Sequence, residues 1–229
     1  MQYLHFSDLS LEQQTHALNL VYQDYTMPFQ VSQEWVVEHL HAHQIDPQRS
    51  PLWVDRRGVV ALSLLALRGQ RAWIGGFGIA PAYRGRRFSL PLLRACLEGL
   101  QADCVQLEVL TGNLKAQATY RRAGFEVTRQ LAVLEGPAGP PHQEIQPAGS
   151  PCWQRESESL ARLADLRVVK GSLVYRGNLI HQVGPGACWG DLPVVGTLRV
   201  SNEPVGSPLY QQLIGLGWRE VARQYEMSR

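Results

Sequence analysis

The chain has 229 residues, which is enough for one large or two small domains with a core that needs no metal or disulfide. Hydrophobic residues make up 45% of it and charged residues 18%, so it is too apolar for a disordered chain. Its apolar runs are too short for a transmembrane helix, and a net charge of +2 is too small to indicate nucleic acid. The N-terminus also lacks the basic-then-apolar order of a secretory signal. We therefore expect a cytoplasmic protein with no nucleic-acid and no membrane partner.

The first 50 residues predict a short strand and two helices. Apolar residues recur at helical spacing after Ser10, and Pro28 is predicted to end that helix. Ser32 is a favourable N-cap for the second helix. Three alternating histidines lie near the end of that helix, namely His39, His41 and His43. Because no further ligand is apparent, we expect a solvated helix end there and not a metal site.

Three strands are predicted next, over 52–55, 59–67 and 72–80, and the short turns between them indicate an antiparallel meander. The middle strand is almost wholly apolar, which is typical of a central strand buried on both faces. The third reads AWIGGFGIA. Glycines inside a strand mark a bulge or a close approach of another backbone.

A basic loop over 81–89 leads into an apolar helix that is predicted to reach Leu100. The remaining elements of this half are a strand over 104–110, a helix over 113–122 and strands over 125–127 and 129–135. The four cysteines show no C-x-x-C pair and no zinc-site spacing, so we expect reduced, structural thiols. They are Cys96, Cys104, Cys152 and Cys188.

Residues 136–151 contain five prolines and three glycines, a composition that sustains neither a helix nor a central strand. We therefore predict a first domain over 1–136, a linker over 137–151 and a second unit over 152–229. A faint internal repeat supports the second unit. Asn113, Tyr120, Gly124 and Phe125 correspond in it to Asn202, Tyr210, Gly217 and Trp218, with short gaps.

The loop over 84–89 has the composition of an anion site. A helix N-terminus leaves backbone N–H groups unpaired and carries a partial positive charge. Arg84, Arg86 and Arg87 add cationic donors just before the predicted helix. A pyrophosphate is the ligand that this combination suits.

At these residues the sequence resembles the GNAT superfamily of N-acetyltransferases, whose signature is [Q/R]-x-x-G-x-[G/A]. The chain has Arg84-Gly85-Arg86-Arg87-Phe88-Ser89, with Arg87 in place of the central glycine and Ser89 in place of the last small residue. A second family block, N-x-x-A-x-x-[L]-Y-x-x-x-G-F, matches residues 113–125 with Thr119 as its one departure. The resemblance covers residues 1–135 well and 150–229 only faintly.

The resemblance implies an α/β fold of the GNAT type: a mixed, mostly antiparallel sheet flanked by helices, with splayed central strands. A truncated, degenerate second GNAT-like unit would follow. Strand 72–80 would diverge from strand 104–110, and acetyl-CoA would bind to the exposed backbone and to the basic loop. The candidate cofactor-binding residues are Phe77, Gly78, Ile79, Arg84, Gly85, Arg86, Arg87, Phe88, Ser89 and Asn113.

The same resemblance implies catalytic roles. Tyr120 would protonate the leaving thiolate as general acid, and its alternative role is that of a packing aromatic. Glu108 and Asp24 are the candidates for general base, with a structural role or a water chain as the alternatives. Asn113 would bond the cofactor chain or fix its own loop.

The second unit is not expected to bind CoA. Its equivalent loop, residues 184–193, has no arginine, carries Asp191 and ends in Pro193, so there is no room for a long helix. Tyr210 is expected to be a packing residue only.

The implied function is transfer of an acetyl group from acetyl-CoA to a primary amine, on a small molecule or a peptide, by direct attack in a ternary complex. No metal is expected, and no Cys or Ser stands in a nucleophile arrangement with a His. The competing hypothesis is a non-catalytic GNAT-like module that binds acyl-CoA or acts through contacts. A homodimer is left open.

Overall fold

The computed structural model describes residues 1–25, 30–193 and 196–229. The chain forms two compact units. The first contains residues 1–108, 113–126 and 227–229, and the second contains 109–112 and 127–226. None of the helices in the described ranges combines the length and the apolar character that crossing a lipid bilayer requires.

The first half of the chain contains both helices and strands. These are β1 (Gln2–His5), α1 (Leu11–Val21), α2 (Gln33–His43), β2 (Pro51–Asp55), β3 (Gly58–Arg68), β4 (Arg71–Ile79), α3 (Ser89–Leu97), β5 (Cys104–Leu110) and α4 (Leu114–Arg122). Short 3₁₀ turns lie at Phe6–Asp8 and Pro81–Tyr83.

The second half contains more strand and less helix. Its elements are β6 (Glu126–Gly136), α5 (Ser157–Leu160), β7 (Arg167–Val169), β8 (Leu173–Arg176), β9 (Leu179–Val183), β10 (Leu198–Pro204), α6 (Pro208–Gly215) and β11 (Arg219–Ser228). Two further 3₁₀ turns lie at Trp153–Arg155 and Trp189–Asp191.

The predicted N-cap of α2 is confirmed, and Ser10, which was expected to precede α1, caps that helix in the same way. The Ser10 hydroxyl accepts a hydrogen bond from the backbone N–H of Gln13, and the Ser32 hydroxyl accepts one from Trp35. Each side chain satisfies an N–H that the first helical turn leaves unpaired. Helix α1 ends at Val21, and its predicted terminator, Pro28, lies outside the described residues.

In the first unit the strands lie in the order β1-β2-β3-β4-β5. The pairs from β1 to β4 are antiparallel, which confirms the predicted meander, and β4 pairs with β5 in parallel. Residues 60–66 of β3 are buried without interruption, as expected for a strand covered on both faces.

Strand β4 contains the bulge that its glycines predicted and the divergence that the family resemblance implied. The register with β3 shifts between Leu64 and Leu65, which leaves Gly75 as the extra residue of a bulge. The pairing with β5 covers residues 71–73 of β4 and stops there. From the bulge onward β4 therefore diverges from β5, and the splayed central strands are confirmed.

The second unit repeats part of this order. Strands β7, β8 and β9 form an antiparallel meander, and β10 pairs with β9 in parallel before α6 and β11. The same succession occurs earlier in the chain, in β2, β3, β4 and β5 of the first unit, followed by α4 and then by β6, most of which belongs to the second unit. This supports the prediction of a second GNAT-like unit, which stays a prediction.

Two element predictions are corrected by the structure. Residues 126–136 form one strand where two were expected, because no turn residue interrupts them and Thr128 bonds through its hydroxyl to the Glu226 carbonyl of β11. Helix α3 ends at Leu97, three residues before the predicted end.

The proline-rich segment 137–151 differs from the expected linker, because it lies inside the second compact unit. Ile145 is fully buried in the core of that unit, and its N–H donates to the Ala187 carbonyl at 2.7 Å. A Cβ added to Gly139 would clash with the Trp189 indole. The glycines and prolines here permit close packing as well as a change of direction.

Candidate active site

The loop before α3 presents a row of unpaired backbone donors. Among the described residues, the N–H groups of residues 85–90 make no hydrogen bond, and Pro91, the third residue of α3, has no N–H to pair. Gly85 has a φ of +77° and Arg87 a φ of +64°. Successive N–H groups in such a turn form a concave anion site at the positive end of the helix.

Aromatic packing holds this loop in place. The Tyr83 hydroxyl donates to the Asp55 carboxylate at 2.7 Å, which anchors the start of the loop to β2. The ring of Phe88 packs edge-on against Trp53 with centroids 6.1 Å apart, and the Arg86 guanidinium lies 5.4 Å from the Tyr83 ring centroid. The contacts of Tyr83 and Phe88 therefore tie both ends of the loop to β2.

The backbone of Arg87 has a left-handed conformation. A φ of +64° is the left-handed region, which a residue with a side chain enters at a cost of about 1–2 kcal/mol. The family signature has a glycine at this position, where that cost vanishes. The chain keeps the backbone conformation with an arginine, whose side chain is exposed.

Arg84 is engaged by the protein. Its guanidinium donates to the Ile79 carbonyl at 3.1 Å, to the Val21 carbonyl at 3.1 Å and to the Asp24 carboxylate at 3.3 Å. The arginine thus joins the end of β4 to the end of α1, and Asp24 is its ion-pair partner. The predicted roles of Arg84 as a cofactor ligand and of Asp24 as a base stay predictions.

The divergent part of β4 has distinct surroundings on its two faces. Ser63, paired with Phe77, contacts the Cys96 thiol of α3 at 3.3 Å, so the Phe77 side chain faces the α3 side of the sheet. Gly78 faces the other side, where an added Cβ would lie 2.7 Å from Val21 of α1. The Phe77 N–H points away from β3 and donates to the Tyr22 hydroxyl at 2.8 Å.

Tyr120 lies beside this segment on the α3 face. It is 5% exposed, and its ring meets Phe77 edge-on with centroids 5.7 Å apart. Its hydroxyl makes no hydrogen bond to any residue that the structure describes. Burial holds the pKa of Tyr120 far above its ordinary value, and the neighbouring phenols of Tyr22 and Tyr25 add to that effect. The phenol is therefore protonated in the ligand-free protein.

Glu108 lies on the opposite face. One carboxylate oxygen accepts a hydrogen bond from the Trp73 indole at 2.7 Å. Trp73 in turn lies against His43 of α2, with ring centroids 5.6 Å apart. Because the bulge at Gly75 reverses the alternation of β4, Trp73 faces α2 while Phe77 faces α3. The two predicted catalytic residues are thus on either side of the splayed strands.

The histidines of α2 correct the expectation of a solvated helix end. His39 stacks on Trp35 with centroids 4.2 Å apart and meets His43 at 4.7 Å. Burial, followed by the charge of His43, lowers the pKa of His39 to about 3. His41 alone is exposed as predicted. Within the described ranges, no group of three or more His, Cys, Asp or Glu side chains could hold a metal ion.

Residues 16–125 match the model of the Acetyltransferase (GNAT) family. The chain contains a GNAT domain. A crystal structure assigned as an acetyltransferase from Pyrococcus horikoshii shares the fold with a TM-score of 0.70 and 15% identity, covering 100% of this chain and 88% of that one. A GCN5-related N-acetyltransferase from Sphaerobacter thermophilus does so with a TM-score of 0.63 and 14% identity, covering 100% and 95%. No curated protein sequence matches the chain.

Asn113 shows one of its two predicted roles in the GNAT domain. Its side-chain oxygen accepts a hydrogen bond from the Ala116 N–H at 3.2 Å, so it caps α4 and fixes the loop before it. A contact with the cofactor stays a prediction. Asn202 corresponds to Asn113 in the internal repeat but does not cap a helix. Ser207 caps α6 in the second unit, and Asn202 lies in β10.

The loop over 184–193 in the second unit has none of the features of the GNAT-domain loop. A 3₁₀ turn at Trp189–Asp191 replaces the long helix. The Asp191 carboxylate pairs with Lys170 at 3.0 Å and accepts the Cys188 N–H at 2.8 Å. The side chain of Trp189 is buried in the core of the unit. Tyr210, expected only to pack, also bonds through its hydroxyl to Glu220 and Arg223.

Sequence reasoning missed Tyr22 and Trp73, which bond to the candidate residues Phe77 and Glu108. Tyr22 stands 55 residues before Phe77, and Trp73 stands 35 before Glu108. Neither of them belongs to a short motif. The glycines at 75–78 were the one signal, since they indicate that another element comes close to β4.

Proposed function

We propose that the GNAT domain transfers an acetyl group from acetyl-CoA to a primary amine, in a ternary complex and without a covalent enzyme intermediate. The observation that carries the proposal is the row of unpaired N–H groups over residues 85–90, adjacent to the splayed end of β4. Membership of the family supports the reaction class.

The loop is the proposed pyrophosphate site. Six consecutive N–H groups and the exposed guanidinium of Arg87 suit a doubly charged diphosphate. The Arg86 guanidinium lies over the Tyr83 ring in the same loop and adds a second cation there. Gly85, Phe88 and Ser89 contribute backbone donors, and Phe88 also fixes the loop by packing on Trp53.

The splayed strands are the proposed pantetheine and acyl site. Beyond residue 73, β4 has no β5 partner among the described pairs, so its edge can bond the amide-bearing arm of the substrate. Phe77, Gly78 and Ile79 lie in that stretch. The Phe77 N–H is directed away from β3 and is the donor proposed to polarise the thioester carbonyl.

The proton donor and the proton acceptor of the proposed reaction lie on opposite faces of the sheet. The amine nitrogen attacks the thioester carbonyl carbon, the C–S bond breaks, and Tyr120 gives its proton to the departing sulfur on the α3 face. Glu108 takes the proton of the amine, directly or through water, on the α2 face. The hydrogen bond from Trp73 fixes the direction of the Glu108 carboxylate.

The experiment is a calorimetric titration of the full chain with acetyl-CoA, followed by a thiol-release assay with polyamines, aminoglycosides, amino acids and peptides. We expect one binding site per chain. With an accepted amine, Tyr120→Phe should lower kcat by about 100- to 10,000-fold and leave the acetyl-CoA Kd unchanged, because it removes one hydroxyl used in the transition state.

Tyr210→Phe, at the corresponding position of the internal repeat, is the matched control and should leave both constants unchanged. Specific binding without turnover of any amine would favour the non-catalytic module. The absence of acetyl-CoA binding would refute the proposed function, and a parental kcat for Tyr120→Phe would assign that tyrosine to packing.

A further inference from the structure

One backbone donor in the splayed part of β4 is already occupied. The Phe77 N–H donates to the Tyr22 hydroxyl oxygen at 2.8 Å. An amide has a single hydrogen, so it cannot make a full second hydrogen bond while this one persists. Tyr22 therefore occupies the Phe77 N–H, which is the donor proposed to bind the thioester carbonyl.

Three contacts place Tyr22 there. Gly78 has no side chain, so the preceding residue of α1, Val21, packs directly on β4. The Arg84 guanidinium binds the Val21 carbonyl and the Asp24 carboxylate, one on each side of Tyr22 along the chain. The Tyr22 ring also meets Tyr25 edge-on, with centroids 5.5 Å apart.

The phenol of Tyr22 is a neutral group in this setting. Burial holds the pKa of Tyr22 well above its ordinary value, although the bond from Phe77 opposes the shift. Its hydroxyl therefore stays protonated over the physiological range, and its oxygen accepts from Phe77 as a neutral acceptor. A neutral contact of this kind can be exchanged for another neutral acceptor, such as a thioester carbonyl, at little net cost.

We propose that the Tyr22 hydroxyl competes with the acyl carbonyl for the Phe77 N–H, so that Tyr22 determines how strongly the protein prefers an acyl-CoA over free CoA. The inference rests on the proposed function. Free CoA has no carbonyl at its sulfur and does not need this donor. The competition therefore weakens the binding of acetyl-CoA and leaves that of CoA unaffected.

The test compares two ligands on two variants of the full chain. Calorimetry gives the Kd of acetyl-CoA and of CoA for the parent, for Tyr22→Phe and for Tyr25→Phe. Tyr22→Phe keeps the ring and removes the competing oxygen, so the preference for acetyl-CoA over CoA should rise by about three- to tenfold, the equivalent of one neutral hydrogen bond. Tyr25→Phe is the matched control and should leave the ratio unchanged.

Amide NMR provides a second readout, on the parent protein and on Tyr22→Phe. Acetyl-CoA should shift the Phe77 amide resonance more than CoA does, and Tyr22→Phe should speed the hydrogen exchange of that amide in the ligand-free state. An unchanged or lower ratio in Tyr22→Phe, with both ligands still bound, would overturn the role of Tyr22 alone. Failure of both ligands to bind any of the proteins would overturn this inference together with the proposed function.

Discussion

Arg87 shows how one residue can depart from a motif without loss of the backbone shape that the motif encodes. The family glycine supplies a left-handed conformation, and Arg87 adopts the same region with a φ of +64°. The side chain remains exposed and adds a cation at the proposed diphosphate site. The departure therefore alters strain and charge at this position, while the row of N–H donors is kept.

The strain at Arg87 is open to direct measurement. Arg87→Gly should raise the free energy of unfolding by about 0.5–1 kcal/mol, because relief of about 1–2 kcal/mol exceeds the extra chain entropy of glycine. Urea unfolding provides the measurement. Arg87→Ala is the matched control, since it removes the same charge and keeps the strain. A glycine variant less stable than the alanine variant would contradict this account.

At the scale of elements, the segment between β6 and α5 is held by a buried ion pair. Arg155 and Glu203 are 3% and 0% exposed, and their charged groups lie 2.6 Å apart. The other oxygen of Glu203 accepts from the Gly149 N–H and from the Ser207 hydroxyl. Arg155 also donates to the His181 carbonyl at 2.6 Å. A stretch whose composition predicts a linker thus becomes part of the second unit.

Glu203→Gln should lower the free energy of unfolding by about 3–5 kcal/mol, because it leaves the Arg155 charge buried without its carboxylate. It should also expose residues 137–151 to limited proteolysis. The matched control is Glu220→Gln, whose partner Arg223 is more exposed, and its cost should stay below about 1 kcal/mol. Equal costs for the two variants in urea unfolding would show that the buried pair does not anchor the segment.

At the scale of the whole molecule, each compact unit contains a histidine that resists protonation, half-buried in the case of His39 and buried in the case of His181. In the first unit the pKa of His39 is lowered to about 3 by burial and the charge of His43. In the second unit the pKa of His181 is lowered to about 4 by burial and by the charges of Arg155 and Arg176. The unfolded chain binds protons at these residues near pH 6.5, well before the folded chain does.

The free energy of unfolding should therefore fall as the pH is lowered from about 6.5 to about 4, by about 1 kcal/mol per pH unit for each histidine. His39→Phe and His181→Leu should each flatten this dependence, as followed by urea unfolding at stepped pH. The exposed His41→Gln serves as the control and should leave the slope unchanged. A slope that persists in both core variants would show that other groups govern the acid sensitivity.

Local signals in the sequence were sufficient for much of the fold. Ser10 and Ser32 bond to N–H groups three residues away, so those two residues predict their helices without tertiary information. The glycines of β4 predicted the bulge, because a glycine-rich strand interior has few other uses. The basic loop before α3 was also recognisable from the sequence, because its turn and the helix N-terminus are contiguous in the chain.

The sequence by itself determined the element order of the first unit, the splayed strand and the loop with its arginines. Tertiary structure alone decided that Tyr22 reaches Phe77, that Trp73 holds Glu108 and that His39 packs between Trp35 and His43. The physical reason is that periodicity and motifs encode which face of an element is buried and how a turn is shaped. They do not encode which distant side chain fills the space, because that depends on how helices and strands remote in sequence pack together.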